Sequence, residues 1–444
     1  MSNLAKARAA LKKNKKIDFK NRVELDPNNT TPVDAISTGS LVIDFLIGGN
    51  KLPNGQRQCP GLPRGRMTEI YGPEGSGKTT LALEAAVKCQ SEGGSVCFLD
   101  YENAIAPAYA QALGVDFSDD KWDLYSPITW EEGAEIIKIM VNAKVDLIII
   151  DSVSAMVPQA TFEKDVSETG QIGLLARLQS SFLPNLVHDL RHSGTSLIYL
   201  NQLRCRIKTS KYDTGPDEDT SGGRALKYYA SLRLKIKRVK TEYSKIENDL
   251  TGDSEKQPIC NIVRAQCTKN KVSMHQGHST DFVLRYGEGI DNVRSIMDIA
   301  ENRNLIQRAG AWYKFVDQQG EEQSLQGKEN LRDYLLENTS QFMHLVNQIS
   351  SFSALGGVTK IGENEDDTSE ATGETTSEKV VDPAIEALVD LALEEGLIDQ
   401  AGPWYKFTDE DGEEQSVRGR DAAIDYLDEN PATAVFLENE MDDT

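Results

Sequence analysis

Gly72-Pro-Glu-Gly-Ser-Gly-Lys-Thr-Thr80 satisfies the pattern G-x-x-x-x-G-K-[ST], and its flanks give the pattern meaning. Ahead of it, Arg66-Met-Thr-Glu-Ile-Tyr71 has the composition of a short strand. After it, Leu81-Ala-Leu-Glu-Ala-Ala-Val-Lys88 is built from good helix formers. Strand, glycine turn and helix together make a phosphate-binding loop. Gly75 and Gly77 free backbone N–H groups to point at phosphate oxygens, and the helix N-terminus adds a favourable dipole. Lys78 supplies charge to β- and γ-phosphates, and Thr79 a hydroxyl to Mg²⁺. Gly72, Pro73, Glu74, Gly75, Ser76, Gly77, Lys78, Thr79 and Thr80 are thus expected around the phosphates of ATP.

Beyond this stretch, residues 33–290 alternate strand-like and helix-like segments. Val96–Asp100, Val145–Asp151 and Ser196–Asn201 are apolar, β-branched runs without polar alternation, as in strands buried on both faces. Helices are expected over 79–92, 131–143 and 173–192. The pattern is that of an α/β domain with a mostly parallel sheet. Pro258 to Tyr286 is expected to add antiparallel strands.

Ligands of such sheets gather at the carboxyl ends of the strands, and three ends carry chemistry. Asp151 closes one strand, placed to hold the water shell of Mg²⁺. Asp100-Tyr-Glu102 closes another. Phosphoanhydride hydrolysis needs a carboxylate to orient and polarise water, and Glu102 is the candidate. Asn201-Gln202 closes a third, where a neutral amide can sense a γ-phosphate and relay its presence. A long loop follows from Arg204 to Arg224, rich in Gly, Ser and Thr and basic at both ends. Loops of this length are functional or disordered. Glu163 to Gly173 is a second such stretch. Two loops beside a nucleotide suit gated binding of a polyanion, and Gly222-Gly223 can offer N–H groups to phosphates. Tyr109 either stacks on adenine or faces the core. Lys235-Ile-Lys-Arg-Val-Lys240 has no purely apolar face, so it is expected as a solvated edge strand or a second nucleic-acid surface.

A chain of 444 residues is too long for one small core. No apolar run reaches the ~18 residues of a membrane span, and residues 1–16 lack the apolar centre of a secretory signal. The six cysteines form no C-x-x-C pair and are expected as reduced thiols in a cytoplasmic protein. His188 and His192 stand at i,i+4 without an acidic or Cys partner in sequence, which marks a plain helix face. The net charge of −22 lies wholly beyond Ile361, and residues 1–361 are balanced. A uniformly acidic chain would argue against nucleic acid; the segregation removes that objection.

The C-terminal third repeats itself. Leu305-Ile-Gln-Arg-Ala-Gly-Ala-Trp-Tyr-Lys-Phe315 recurs as Leu397-Ile-Asp-Gln-Ala-Gly-Pro-Trp-Tyr-Lys-Phe407. Gly320–Ser324 recurs as Gly412–Ser416 and Asp333–Leu335 as Asp425–Leu427, at a constant offset of ~92 residues that marks a duplication. The expected layout is a basic helical arm (1–32), either solvated or docked on another subunit, and an α/β core (33–290). A small α+β lobe (291–350), an acidic linker (351–381) and a second, acidic copy of the lobe (382–444) follow.

Taken together, several motifs resemble the bacterial RecA recombinase family, in collinear order over residues 33–345. They are Ala35–Ser40, the loop at Gly72–Thr80, Ile150–Val153, Leu200–Arg204, Gly222–Ser231, Lys269-Asn-Lys271 and Tyr286–Ile290. The resemblance implies the RecA-like P-loop fold and a DNA-dependent ATPase using ATP and Mg²⁺. It implies a cytoplasmic helical filament of many copies on single-stranded DNA, which pairs that strand with homologous double-stranded DNA and exchanges strands. Recombination, repair and the SOS response come with it, as do single-strand-binding and mediator proteins as partners and no membrane.

Residue by residue, it implies that Glu102 activates water, Tyr109 stacks on adenine, Asp151 assists Mg²⁺ and Gln202 is the sensor. Lys269 and Lys271 would reach the γ-phosphate of a neighbouring subunit's ATP, as an arginine finger does. Residues 163–173 and 204–221 match two DNA-binding loops, with Ile172 and Ile207 as wedges between base triplets. Arg177, Ser180, Arg204, Arg206, Gly222, Gly223 and Arg224 fall at backbone-contacting positions. Lys237, Arg238 and Arg264 match a secondary site for the displaced strand. A hexameric helicase on the same fold is the competing reading; it uses the phosphate loop and Asp151 but leaves Lys269, Lys271 and Gly222-Gly223 without a task.

The chain departs from the family at several points. Pro184 replaces a DNA-contacting Arg, and Asn103 and Ala106 replace a His and an Asp near adenine. The second DNA loop is longer, Asn54 to Leu62 is an insertion, and the second lobe is extra. The first lobe keeps Arg303, Arg308, Lys314, Lys328 and Arg332, whereas the second keeps Lys406, Arg418 and Arg420 amid many acids. That contrast suggests a tethered autoinhibitor or, more simply, a solubilising appendage.

Overall fold

A computed structural model describes residues 32–49, 51, 55–162, 173–205, 218–247 and 254–351. Beyond Ile361 it describes 392–393, 397–401, 404–408, 414–418, 423, 426–427, 430 and 433. The expected arm helix, the linker, Ile172, Arg206 and Ile207 lie outside the described residues. Two compact units emerge, Met1–Ile361 and Gly362–Thr444.

The first unit opens with β1 (Ala35–Ile36), α1 (Leu41–Gly48) and β2 (Leu62–Pro63). Ser40 caps α1 by accepting from the Ile43 N–H. The inserted segment folds back on α1: Gln58 N–H donates to Gly48 O, and the Arg57 guanidinium lies 4.4 Å over the Phe45 ring. Strand–helix alternation follows: β3 (Met67–Gly72), α2 (Lys78–Ser91), β4 (Val96–Asp100), α3 (Pro107–Ala112), β5 (Trp122–Tyr125), α4 (Trp130–Asn142) and β6 (Leu147–Asp151). Next come α5 (Gln159–Phe162), α6 (Leu174–Ser193), β7 (Ser196–Cys205), β8 (Glu218–Thr220) and α7 (Arg224–Tyr229). Two long strands, β9 (Leu232–Glu247) and β10 (Ser254–Asn270), lead to β11 (Ser279–Arg285), β12 (Gly289–Asp291) and α8 (Asn292–Asn302).

One sheet organises these elements, in the order β12-β11-β10-β9-β3-β7-β6-β4-β5 with β8 beside β7. Pairing is parallel from β9 through β3, β7, β6 and β4 to β5, and antiparallel among β9, β10, β11 and β12. The expected α/β class and mostly parallel sheet are borne out. The apolar runs are unbroken because alternate residues serve two cores. Phe98, Ile149 and Ile198 pack with α1 and α2 on one face, and Leu99, Ile150 and Tyr199 with α4, α6 and α7 on the other. Each such buried side chain contributes roughly 1.5–3 kcal/mol.

Lys235–Lys240 is not simply an edge strand. β9 begins between two neighbours, β3 and β10, with Leu232, Leu234 and Ile236 fully buried. Its pairing with β3 ends at Tyr71↔Lys235, and beyond this β9 runs on with β10 alone. There Lys237, Arg238 and Lys240 are exposed. A register shift between Ile262 and Val263 bulges the ribbon at Val239 and breaks the strict two-residue alternation.

After α8 the chain forms the sheet β13 (Ile306–Ala309), β14 (Trp312–Val316), β15 (Glu322–Gln326), then α9 (Lys328–Glu337) and α10 (Thr339–Ser351). Its core residues, among them Tyr313, Phe315 and Leu331, join the cluster of the large domain. The second unit holds β16 (Ile398–Ala401), β17 (Trp404–Thr408) and β18 (Glu414–Arg418). Ile306↔Phe315 and Ala309↔Trp312 in the first lobe are matched by Ile398↔Phe407 and Ala401↔Trp404 in the second. Ile398, Tyr405, Phe407, Ala423 and Leu427 form its core. The middle strand of each three-stranded sheet carries an exposed Trp, 47% for Trp312 and 44% for Trp404.

Candidate nucleotide site and DNA-facing loops

The phosphate loop joins β3 to α2. Gly75 (φ +66°) and Gly77 (φ +90°) hold left-handed conformations that a side chain would strain. Gly77 has a second reason to be glycine: a Cβ there would lie 2.2 Å from Leu284 Cδ1. Lys78 lies across the loop and donates from Nζ to Gly72 O at 3.1 Å and Pro73 O at 2.8 Å. Burial lowers its pKa, opposed by the charges of Asp151, Glu102 and Glu74. Thr79 Oγ1 donates to Asp151 Oδ2 at 2.6 Å. Burial raises Asp151 to about 6, against the Thr79 bond. A hydroxyl and a carboxylate side by side are the hard oxygen donors that suit Mg²⁺.

Glu102 lies beyond β4 in a turn shaped by Asp100, whose carboxylate accepts from the N–H groups of Glu102, Ala104 and Ile105. Glu102 Oε1 accepts from Gln202 Nε2 at 2.8 Å and from the Ser152 hydroxyl. The three strand ends expected to carry chemistry therefore meet. Gly75, Gly77, Lys78, Thr79, Thr80, Glu102, Tyr109 and Gln202 line one cleft of about 360 Å³. The Tyr109 and Thr80 hydroxyls are 3.1 Å apart, and the half-buried Tyr109 ring packs on the core from α3 while lining the cleft.

The opposite wall of the cleft has no local signal in the sequence. Asn261, Leu284, Arg285, Tyr286 and Gly287 come from β10 and the end of β11. The Tyr286 hydroxyl sits 3.0 Å from Asn261 Nδ2, and the Ile290 N–H donates to Glu84 Oε1 on α2 at 2.9 Å. Tyr286 belongs to a motif that carries the family resemblance, but only the fold shows that it faces Tyr109's cleft.

The residues expected at DNA divide into groups. Gly222 and Gly223 pack on α6: Cβ atoms there would come 2.6 Å from Gln179 Oε1 and 2.7 Å from Ala176 Cβ. This brings them beside exposed Arg177 and Ser180 on α6, with Arg224 next in the chain. Arg204 donates to Ser154 O at 3.3 Å, and Ser154 and Ser221 hydroxyls are 3.2 Å apart. Lys237 and Arg238 stand apart from this cluster, on the ribbon beyond β3. Arg264 lies directly across from Lys237, but Asp281 holds its guanidinium in a two-bond grip at 2.7 and 2.9 Å.

Lys269 and Lys271 are at the other end of the sheet. The register Thr68↔Leu232↔Asn270 places them two strands over from β3, level with its start and about 13 Å back from Gly72 along the strand direction. Their backbone is therefore set apart from their own phosphate loop. Lys269 Nζ donates to Lys227 O and Tyr228 O at the end of α7, at 2.6 and 2.9 Å. Burial, helped by the charges of Lys271 and Arg233, lowers it to about 8.

The His188 and His192 rings touch, with Nε2 atoms 3.2 Å apart on the exposed side of α6, and among the described residues no cluster of three or more His, Cys, Asp or Glu side chains is placed to hold a metal. Cys59, Cys89, Cys97, Cys260 and Cys267 are buried free thiols.

The family model of the RecA N-terminal domain matches residues 5–291. That of the RecA C-terminal domain matches residues 294–353 and again 386–444. The chain belongs to the RecA family. It is 41% identical over 310 residues to Protein RecA of Nocardia farcinica, covering 69% of this chain and 80% of that one. To Protein RecA of Leptospira meyeri it is 37% identical over 370 residues, covering 82% and 88%. To Protein RecA of Mycolicibacterium smegmatis it is 39% identical over 328 residues, covering 74% and 85%. A solved structure titled Crystal structure of the RadB recombinase aligns at TM-score 0.39 and 21% identity, covering 57% of this chain and 98% of that one. As a RecA family member the chain is a RecA-type recombinase of recombination and repair. It is a DNA-dependent ATPase that binds ATP and DNA and self-associates in filaments. Among the described residues no helix is long and apolar enough to cross a membrane.

Proposed function

We propose that this recombinase coats single-stranded DNA as a helical filament and uses ATP to pair that strand with homologous duplex and exchange strands, in the cytoplasm. The observation that carries the reading is the convergence of Lys78, Glu102 and Gln202 in one cleft, with Gln202 adjoining the segment that ends in Gly222-Gly223.

Hydrolysis then follows from the residues. Lys78 and the loop N–H groups neutralise and orient the phosphates. Glu102 accepts a proton as the water oxygen attacks the γ-phosphorus and the bond to the β-phosphate oxygen breaks, leaving ADP and phosphate. Thr79 and Asp151 would hold Mg²⁺, which neutralises phosphate charge when bound. Tyr109 and Tyr286 flank the base. Lys269 and Lys271 act on a neighbouring subunit's nucleotide, in keeping with their distance from their own loop. Ile172, Arg177, Ser180, Arg204, Arg206, Ile207, Gly222, Gly223 and Arg224 serve the first DNA strand. Lys237 and Arg238 serve the displaced strand, and Arg264 joins them where it exchanges Asp281 for phosphate. Single-strand-binding and mediator proteins are the expected accessory partners.

Residues 382–444 are proposed as a second copy of the C-terminal lobe, on matching strand registers and core positions. Their acidity makes them an inhibitor of duplex capture. Strand exchange by wild type and Lys78→Ala tests the main reading. Loss of exchange in the variant supports it; unwinding without homology favours the helicase, and pairing indifferent to the substitution favours a passive coat.

A further inference from the structure

Several polar groups that the nucleotide chemistry does not use meet beside the cleft. Glu69 lies on β3, three residues before Gly72, and is fully buried. Its Oε2 accepts from Arg233 Nε at 2.5 Å, and its Oε1 from Asn201 Nδ2 at 2.9 Å. Asn201 is also fully buried. Its Nδ2 donates again, to Ser221 O at 2.9 Å, and its Oδ1 accepts from the Gln202 N–H at 3.0 Å. Carboxylate and carbonyl oxygens can only accept, so the amide has one permitted orientation. A buried carboxylate persists only where it is paired. Arg233 therefore sets the place of Glu69, and Glu69 the place of Asn201.

This amide joins two functional segments. Asn201 precedes Gln202, and the carbonyl it holds belongs to the residue before Gly222-Gly223. That turn has no slack: a Cβ on Gly222 would meet Gln179 Oε1 at 2.6 Å and Val153 Cγ1 at 2.8 Å. The clamp also reaches toward Lys269. The Arg233 guanidinium lies 4.6 Å over the Tyr71 ring, and the Tyr71 hydroxyl donates to Thr268 Oγ1 at 3.0 Å, one residue before Lys269. We infer that Asn201, clamped by the Glu69–Arg233 ion pair, is the positioning residue that carries displacement of Gln202 to the DNA-facing turn at Gly222-Gly223. The inference rests on the reading of Gln202 as γ-phosphate sensor.

The test swaps donor for acceptor. Asn201→Asp combined with Glu69→Gln keeps a hydrogen bond between the two positions, an acceptor for Arg233 and the summed charge, but removes the donor to Ser221 O. ATP turnover is measured with and without oligo-dT, beside thermal midpoints with and without ATP. The expected result is a lowered midpoint, since two acceptors now face each other at Ser221 O, with the ATP-induced rise kept as the mark of a folded nucleotide site. The ratio of DNA-stimulated to DNA-free turnover falls about tenfold, within the usual range of coupling between sites. A purely structural role would restore the ratio together with the fold, and that outcome overturns the inference. If the double variant does not fold, Asn201→Ser, which adds no charge, is read by the same ratio. Gln202→Ala separates the two readings. An unchanged ratio there overturns the sensor reading and this inference with it. A lowered ratio there with an unchanged ratio in the Asn201 variants overturns this inference alone.

Discussion

Gln202 Nε2 donates to Glu102 Oε1 at 2.8 Å, so the residue assigned to sense the γ-phosphate rests on the carboxylate assigned to activate water. On the proposed reading, Glu102 is held by a neighbour whose position answers to nucleotide and DNA. Glu102→Gln keeps the size of the side chain and removes its basicity. Turnover should fall by about 10²–10⁴-fold, the usual contribution of a general base, while ATP binding persists. Steady-state hydrolysis beside an equilibrium ATP titration checks this. Turnover at the wild-type rate would remove Glu102 from the mechanism.

Two glycines of the phosphate loop should respond differently to alanine. A Cβ on Gly75 would meet nothing within 4 Å, so Gly75→Ala carries only the backbone strain of a positive φ, about 1 kcal/mol. Gly77→Ala adds a clash with Leu284. The expected order of ATP affinity is wild type, then Gly75→Ala, then Gly77→Ala. Leu284→Ala should partly restore Gly77→Ala, and a double variant no better than the single one would show that the clash is not the cause.

This clash also shows where the sequence stops being legible. The phosphate loop, the apolar strands and the acidic or amide strand ends are local patterns, and the fold places them as their spacing implies. Leu284, Arg285 and Tyr286 reach the cleft from strands far along the chain, and no periodicity encodes that approach. Asn201 and Gln202 look alike as neighbouring amides at a strand end. The two-residue alternation of β7 sends Asn201 into the core and leaves Gln202 at the cleft. The basic run at 235–240 misleads because β9 changes from an interior to an outer strand within it.

Lys269 should make assembly sensitive to alkaline pH. Its pKa of about 8 lies below the ordinary 10.5, so the folded chain releases this proton earlier than the unfolded one. By linkage, this group adds stability as pH rises between those values. Contact with a phosphate needs the charged form and weakens over the same interval. ATP-dependent self-association, followed by light scattering, should slow as pH rises through about 8. Lys269→Arg, charged throughout, should flatten the profile if its longer fork is accommodated. A wild-type profile that is level through this range would argue against an ionic role for Lys269.

Arg294 ties the β9 ribbon to the first C-terminal lobe. Its side chain is 4% exposed and meets Glu242 at 2.8 Å, Asp298 at 3.2 Å and Glu329 at 3.6 Å. Arg294→Met would leave Asp298 to Lys328 at 2.5 Å and Glu242 to the longer contact with Lys240 at 3.6 Å. The cost is up to about 3 kcal/mol, the lower end for a broken buried pair. Adding Glu242→Gln should recover part of that loss, because the charge left with the weaker partner goes with it. Denaturant midpoints of the three proteins check the order.

The acidic C-terminus gives the last expectation. Removing 362–444 takes away the whole excess of −22 and leaves a charge-balanced chain. If that excess repels or imitates duplex DNA, the truncated protein should capture homologous duplex faster at low salt. The advantage should shrink as salt rises toward physiological strength, where charges more than about 8 Å apart are screened. A solubilising appendage predicts equal pairing rates at every salt concentration, with a difference in aggregation alone. Stopped-flow pairing with labelled duplex across a salt series separates the two, because repulsion changes the slope against salt whereas solubility changes only the yield of active protein.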